Sequence, residues 1–126
     1  MFRKIDIITE KYRFKAELNN METSQKLLEV LPIKSSVNRW GNEIYFSIPL
    51  KAELEDGKEI LNKGDIAFWP PGSAFCIFFG KTPASDNDKP RAASPVTVLG
   101  KIIDKKNLAD LKKIGSGEKI NIRLSE

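Results

Sequence analysis

The chain has 126 residues, the length of one ordinary domain, and 40% of them are hydrophobic, which is enough to form a buried core. Its 21 basic and 17 acidic residues give a formal charge of +4, and their interleaving predicts a solvated surface. The chain contains no histidine, which excludes the Ser-His-Asp triad and the common zinc sites built on histidine. We therefore expect a single domain over residues 1–126 that uses no metal and no cofactor.

Several further absences limit where the protein acts and what it binds. No segment reaches the ~18 apolar residues of a membrane span, and Asp6 interrupts the apolar run that a signal peptide would need. Cys76 is the only cysteine, so no internal disulfide can form. Five lysines crowd near the C-terminus without an accompanying RNA-binding motif: Lys101, Lys105, Lys106, Lys112 and Lys113. These features predict a cytoplasmic protein that binds neither membrane nor nucleic acid.

The N-terminal third predicts a hairpin followed by a helix. Apolar and charged residues alternate over residues 11–18, which is the period of a half-buried strand, and this strand is expected to pair with residues 3–8. Over residues 19–32 the leucines instead repeat at helical spacing, and a proline ends the pattern. Asn20 or Thr23 is the expected N-cap of this helix.

Strands and turns dominate the middle of the chain. Residues 33–49 predict two strands that meet near Gly41-Asn42, and Asp56-Gly57 marks another tight turn. In "GDIAFWPPGSAFCIFFGKTPAS", Pro71 and Gly72 predict a type II turn in which Gly72 supplies the positive φ. Residues 65–69 and 74–79 would then fold back on each other as strands. The second of these strands is apolar on both sides, which predicts cover on both faces.

The C-terminal part begins with a long loop, residues 81–95, which contains three prolines. A strand over residues 95–103, a short helix over 107–114 and an alternating strand over 118–124 follow it. Seven or eight short strands with two helices predict a closed barrel, since closure removes exposed sheet edges.

Eight aromatic residues between positions 40 and 79 are too numerous for one core face of a domain this small. They are Trp40, Tyr45, Phe46, Phe68, Trp69, Phe75, Phe78 and Phe79. Strand alternation sends Phe68 and Trp69 to opposite faces, and Phe78 and Phe79 likewise. One member of each pair therefore points outside the barrel. Either covering loops bury these rings, or they line an apolar trough suited to a proline ring, a peptide or a small planar ligand.

Other candidate motifs have ordinary structural interpretations. Gly80-Lys81-Thr82 ends like a phosphate-binding loop, but Phe75 stands where that motif needs a glycine. Cys76 lies in an apolar strand and is expected to be an inert core residue. Four carboxylates match no metal-ligand spacing and are expected on the surface: Glu43, Asp65, Asp86 and Asp88.

Three stretches together resemble a small bacterial and archaeal cyclophilin-like family whose activity is not established. They are "VNRWGNEIYFSIP", "GDIAFWPPGSAFCIFFGKTPAS" and "VTVLGKI", and the resemblance runs over essentially the whole chain. It implies a mostly β fold: a closed eight-stranded antiparallel cyclophilin-like barrel with two short helices, one at each open end.

The chain is also similar to the true cyclophilins, which are peptidyl-prolyl isomerases, but it departs from them at the active site. Residues 72–77 resemble their Gly-Ser-Gln-Phe-Phe-Ile stretch, with Ala74 in place of the glutamine and Cys76 in place of a pocket phenylalanine. Residues 37–39, Val-Asn-Arg, resemble their Phe-His-Arg stretch, and this resemblance implies Arg39 as the counterpart of their catalytic arginine. Most of the isomerase active-site set is therefore missing.

The leading hypothesis is a barrel protein that binds a small ligand or a proline-containing peptide in an aromatic groove. The expected lining residues are Trp40, Tyr45, Trp69, Phe75 and Phe79. The expected polar contacts come from Arg39, Glu43, Lys81, Thr82 and Ser85. The alternative hypothesis is a weak peptidyl-prolyl cis-trans isomerase that uses Arg39, because prolyl rotation needs no proton transfer.

Overall fold

The computed structural model describes residues 3–125, except for the side chain of Lys105. The predicted domain includes residues 1, 2 and 126, and the predicted lysine cluster includes Lys105. These three terminal residues and the side chain of Lys105 lie outside what is described. Two helices occur in this part of the chain, α1 (Glu22–Val30) and α2 (Leu108–Leu111), with short 3-10 turns at Pro70–Gly72 and Lys105–Asn107. The same residues form ten strands: β1 (Lys4–Thr9), β2 (Arg13–Leu18), β3 (Ile33–Ser36), β4 (Asn38–Arg39), β5 (Glu43–Ser47), β6 (Lys58–Ile60), β7 (Asp65–Trp69), β8 (Ala74–Phe78), β9 (Arg91–Ile102) and β10 (Lys119–Leu124). The mostly β fold with two short helices is confirmed.

The strands form one antiparallel sheet in the order β3-β10-β1-β2-β9-β7-β8-β5-β4, and β6 pairs with β9 beside this path. Within the described chain the two ends of the path, β3 and β4, do not pair with each other. They are consecutive, and Val37 alone separates them. The closure and the count of eight strands that the resemblance implied are thus not established. The count differs because one predicted strand divides at Val37 and because residues 58–60 pair as an additional strand.

The predicted hairpin and helix near the N-terminus are confirmed, but the start of the helix differs. β1 pairs with β2 from Lys4 opposite Glu17 to Ile8 opposite Arg13. Helix α1 begins after Met21, so neither predicted cap occupies the N-cap position. The amides of Glu22 and Thr23 instead donate to the carboxylate of Glu55, at 3.1 and 3.0 Å. A carboxylate from a distant loop thus satisfies two of the free N–H groups at the start of this helix.

Strands β5, β7 and β8 are covered on both faces, and this places the candidate site. One face joins the main core, which contains Ile44, Phe46, Ile66, Phe68, Phe75, Ile77 and Phe79. The other face joins a second apolar cluster, which contains Tyr45, Leu61, Ala67, Trp69, Ala74, Cys76, Phe78, Ala92, Val96 and Val98. Every residue of β8 is buried, so the prediction that this strand is covered on both faces is confirmed.

The Pro-Pro-Gly segment turns the chain as expected, but by another geometry. Strands β7 and β8 pair antiparallel, with Trp69 opposite Ala74. The segment is a 3-10 turn, and the residue with positive φ is Ser73, at 45°, not Gly72. The predicted type II turn is therefore wrong. Gly72 is required for space instead, because a Cβ there would lie 2.9 Å from the Trp69 ring.

The loop predicted over residues 81–95 is shorter than expected. Strand β9 begins at Arg91 and includes Pro95. It pairs with β6 through Lys58 opposite Val96 and Ile60 opposite Arg91, and the register shifts between these two pairs. A proline donates no hydrogen bond, and it is tolerated in a strand where the ladder is interrupted.

Candidate functional site

The second apolar cluster is incompletely filled and contains a cavity of about 230 Å³. Seven residues line it: Trp40, Glu43, Tyr45, Trp69, Ala92, Ala93 and Val96. A larger hollow of about 620 Å³ lies between α1 and residues 51–55, but its walls are mainly charged, and Glu55 already bonds the helix amides there. Apolar walls with one convergent polar group are typical of a ligand site. The cavity is therefore the candidate site.

A tight turn brings Trp40 and Glu43 to the cavity. The amide of Trp40 donates to the carbonyl of Glu43 at 3.0 Å, and the amide of Glu43 donates to the carbonyl of Trp40 at 3.2 Å. Gly41 has φ of +61° inside this turn, a left-handed conformation that favours glycine. Strand β5 starts at Glu43, so Glu43 and Tyr45 project from the same face.

Trp69 is fixed from two sides on the neighbouring part of the sheet. Its indole N–H donates to the Ser94 hydroxyl on β9 at 2.7 Å, and Gly72 allows the backbone to approach the ring closely. The remaining wall comes from the small side chains of Ala92, Ala93 and Val96 on β9. An anchored indole opposite small residues leaves the space that forms the cavity.

Glu43 is a buried acid in an apolar surrounding. The residue is 6% exposed. Burial raises the pKa of this carboxyl from 4.5 to about 7, and the polar Cys76 thiol beside it lowers the pKa by a smaller amount. Burial also raises the pKa of Cys76 well above its ordinary value, with the negative charge of Glu43 as a further cause. The thiol is therefore unreactive, as the sequence predicted, whereas Glu43 changes charge near neutral pH.

The structure gathers some of the sequence-predicted site residues at the cavity and places others elsewhere. Trp40, Glu43, Tyr45 and Trp69 line it together. Phe75 and Phe79 lie in the main core on the opposite face of the sheet. The sequence left two alternatives for the surplus aromatic rings, burial under covering residues or exposure along a trough, and both occur. Phe78 is covered in the second cluster, whereas Trp69 borders the cavity.

Lys81, Thr82 and Ser85 form part of the loop that supports the turn. The Thr82 hydroxyl donates to the carbonyl of Arg91, and the Ser85 hydroxyl donates to the carbonyl of Lys89 at 2.7 Å. The side chain of Lys81 is exposed, and its carbonyl accepts the amide of Asn42 at 2.9 Å. These three residues do not line the cavity.

Arg39 binds backbone rather than the cavity. Its Nε donates to the carbonyl of Gly41 at 3.0 Å, and its Nη1 donates to the carbonyls of Lys112 and Ile114 at 3.2 and 2.8 Å. The guanidinium also lies 5.1 Å from the centre of the Phe79 ring. These contacts tie the chain after α2 to the start of the Trp40 turn.

Sequence reasoning missed Ala92, Ala93 and Val96. Small and branched residues carry no chemical motif, and the only available signal was an alanine pair near surplus aromatic rings. Within residues 3–125 no three potential metal ligands cluster. No helix in that part of the chain is long and apolar enough to cross a membrane.

Comparison with known proteins agrees with this architecture. The profile of the family described as Cyclophilin-like matches residues 3–123. The solution structure of a hypothetical protein from Archaeoglobus fulgidus is similar, with 40% sequence identity and a TM-score of 0.82 over 98% of this chain and 95% of that one. Comparison with curated proteins gave no match. On the family match and this likeness, the chain belongs to the Cyclophilin-like family.

Proposed function

We propose that this protein binds a small molecule in the cavity lined by Trp40, Glu43, Tyr45 and Trp69. The observation that carries the proposal is a cavity of about 230 Å³ with mostly apolar walls and one buried carboxyl group. An apolar space with few, well-placed polar groups is the usual form of a ligand site. A fully packed cluster would have left no space beside three aromatic side chains.

The size of the cavity limits the ligand. Drug-sized ligands occupy pockets of roughly 300–1,000 Å³, so a cavity of about 230 Å³ suits a smaller molecule or one side chain of a peptide. A proline ring is small enough to be such a group. A small molecule and a peptide side chain would therefore occupy the same cavity. A peptide would also need a binding surface beside the cavity for its backbone.

The isomerase alternative depends on Arg39, and we regard it as the weaker candidate. Two guanidinium nitrogens of Arg39 are engaged with three backbone carbonyls. This residue does not line the cavity. An isomerase mechanism would need a free hydrogen-bond donor next to the site that holds the proline ring.

We also propose that residues 1–126 act as one cytoplasmic domain with the closed eight-stranded barrel of the cyclophilin-like fold. Closure would run through Val37, since β3 before it pairs with β10 and β4 after it pairs with β5. The Val37 amide donates to the Glu118 carbonyl at 2.9 Å, which supports this continuity.

The test is a fragment screen by ligand-observed NMR on the wild type and on a blocked variant. Ala93 is exposed at the cavity wall, so Ala93→Phe places a ring in the entrance without disturbing the core. Ala109→Phe is the control, because Ala109 is an exposed alanine on α2 away from the cavity.

We expect fragments that bind the wild type and Ala109→Phe to lose binding to Ala93→Phe. Fragments that bind all three proteins equally would place the binding site elsewhere. A diverse set in which no fragment binds the wild type would argue against a ligand site.

A further inference from the structure

The cavity wall carries an acidic group and no basic group. Among its seven lining residues Glu43 alone carries a carboxyl group, and none is Lys or Arg. An anionic ligand would meet an acid without a basic partner, which is unfavourable in an apolar surrounding. The cavity therefore suits a neutral or positively charged ligand.

Its aromatic residues favour a cation. Trp40, Tyr45 and Trp69 border the same space. The face of an aromatic ring attracts a nearby cation, and tryptophan does so most strongly. The N–H of Trp69 is already bonded to Ser94, so that indole is held in place before a ligand arrives. Preorganised rings bind with a smaller loss of conformational freedom.

Among the described residues, 3–125 without the Lys105 side chain, no cation neutralises Glu43. In the described part of the chain the ion pairs do not include it. Arg39 donates to backbone carbonyls and lies against Phe79. On β9, Arg91 pairs with Asp86 and Glu59. On β6, Lys58 lies opposite Val96 in register, but its side chain is exposed and does not line the cavity.

Two other titratable side chains face Glu43. Tyr45 projects from the same side of β5. The thiol of Cys76 on β8 donates to the Ala74 carbonyl at 3.8 Å and lies close enough to affect the pKa of the Glu43 carboxyl. Neither a phenol nor a thiol can carry a positive charge, so neither can be the counter-ion of Glu43. A ligand cation would be the counter-charge that the described residues do not provide, and its binding would favour the ionised carboxylate.

We infer that the cavity binds a small organic ammonium ion, with Glu43 as its counter-ion and Trp40, Tyr45 and Trp69 as its aromatic contacts. This inference rests on the proposed function, since it names the ligand class of the same cavity. A bare metal cation does not fit, because a hard ion needs several oxygen ligands and the wall offers one carboxyl group. A methylated or short alkyl ammonium matches both the rings and the volume.

The test compares choline with 3,3-dimethylbutan-1-ol, its neutral isostere in which carbon replaces the charged nitrogen. Calorimetry on the full chain at about pH 8, above the carboxyl pKa of about 7, measures both affinities. We expect choline to bind at least about tenfold more tightly than the isostere. Lowering the pH below about 7 should weaken choline binding up to about tenfold per pH unit, because the carboxyl group must lose its proton. The isostere should show no such dependence.

Two variants complete the experiment. Glu43→Gln keeps the shape of the side chain and removes its charge, so choline affinity should fall about tenfold or more and lose its pH dependence. Affinity for the isostere should stay the same. Glu53→Gln removes a charge from an exposed loop position and should behave as wild type.

The outcomes separate this inference from the proposed function. If fragments bind and are blocked by Ala93→Phe, but choline binds no better than its isostere, the cavity is a ligand site and the ammonium inference is wrong. If the affinity for the isostere rises toward acid pH and exceeds that for choline, the cavity prefers a neutral ligand that accepts a hydrogen bond from the protonated carboxyl of Glu43, and the ammonium inference is wrong. Wild-type choline affinity in Glu43→Gln would also overturn the inference. The pH series uses the unmodified protein, so the result does not depend on the variant folding.

Discussion

Trp40 and Glu43 exchange two backbone hydrogen bonds, at 3.0 and 3.2 Å, across a turn that places both side chains in one cavity. The turn itself is held by the loop after β8. The Asn42 amide donates to the carbonyl of Lys81 at 2.9 Å, and the Phe79 amide donates to the carbonyl of Asn42 at 2.9 Å. The geometry of the candidate site thus depends on a backbone motif and on a loop whose side chains do not line it.

The first prediction concerns Gly41 in this turn. Gly41 has φ of +61°, and a Cβ there would lie 3.0 Å from the Lys81 carbonyl oxygen and 2.9 Å from Cδ of Pro83. Gly41→Ala should therefore lower the free energy of unfolding by about 1–3 kcal/mol, measured by urea denaturation. Ligand binding in the cavity should weaken as well, because Trp40 and Glu43 would shift.

Gly115→Ala is the matched control. A Cβ at Gly115 meets no atom within 4 Å, so stability should stay within about 0.5 kcal/mol of wild type. Equal effects of the two substitutions would mean that the Trp40 turn imposes no special demand on its glycine.

The second prediction is the effect of pH on stability through Glu43. The pKa of this carboxyl is 4.5 in the reference state and about 7 in the folded protein, so the folded state favours the protonated form. Its contribution to stability is complete below about pH 4.5 and is lost as the pH rises through about 7. The difference between the two pKa values corresponds to about 3 kcal/mol.

Glu43→Gln should remove this loss, since an amide does not ionise. The free energy of unfolding of the variant relative to wild type should rise by about 2–3 kcal/mol between about pH 4.5 and pH 8. Urea denaturation at several pH values measures it. Glu53→Gln, at an exposed position, should keep a constant difference from wild type. A flat difference for Glu43→Gln would show that its carboxyl is not the group responsible.

The third prediction distinguishes a structural from a catalytic Arg39. Arg39→Ala removes the contacts to the carbonyls of Gly41, Lys112 and Ile114 and the contact with Phe79. Stability should fall by about 1–3 kcal/mol. In a protease-coupled proline assay, wild type and variant should both match the uncatalysed rate.

Arg13→Ala is the control for this experiment, because Arg13 is an exposed arginine on β2. It should leave stability within about 0.5 kcal/mol of wild type. A wild-type rate above background that Arg39→Ala abolishes, in a variant that remains folded, would establish the isomerase alternative instead.

The sequence predicted best those features that depend on neighbouring residues. Alternation and helical spacing predicted the β1–β2 hairpin and helix α1 because each pattern lies within one element. The turn near Gly41 and the opposite directions of Phe68 and Trp69 followed from the same local rules. Local rules thus predicted four of the residues that line the cavity, which are Trp40, Glu43, Tyr45 and Trp69.

Features that depend on distant contacts were not predictable in this way. Glu55 bonds the start of α1 from more than thirty residues away, and no spacing rule indicates such a pair. Phe75 and Phe79 lie on the face of the sheet that joins the main core, and alternation alone does not say which face that is. The wall residues Ala92 and Val96 depend on how β9 pairs with β6 around Pro95.

The last prediction concerns the position of the Trp69 ring. Gly72 has no positive φ, so its constraint is steric: a Cβ would lie 2.9 Å from two atoms of the Trp69 ring. The ring borders an open cavity, so Gly72→Ala should push it into that space and lengthen its hydrogen bond to Ser94. Because the ring can move, the cost in stability should be modest, about 0.5–1.5 kcal/mol. Ligand affinity should fall more than stability does, since the indole would occupy the cavity.

Ser94→Ala separates the loss of the hydrogen bond to Trp69 from the displacement of its ring. It removes the 2.7 Å bond to the Trp69 indole without adding bulk behind the ring, so it should lower stability by about 0.5–1.5 kcal/mol. The cavity should stay open in this variant. Intrinsic fluorescence and fragment binding should therefore change more in Gly72→Ala than in Ser94→Ala. If fragments bind Gly72→Ala as they bind wild type, the Trp69 ring does not form the wall of the site, because any ligand in the cavity must compete with the displaced indole for the same volume.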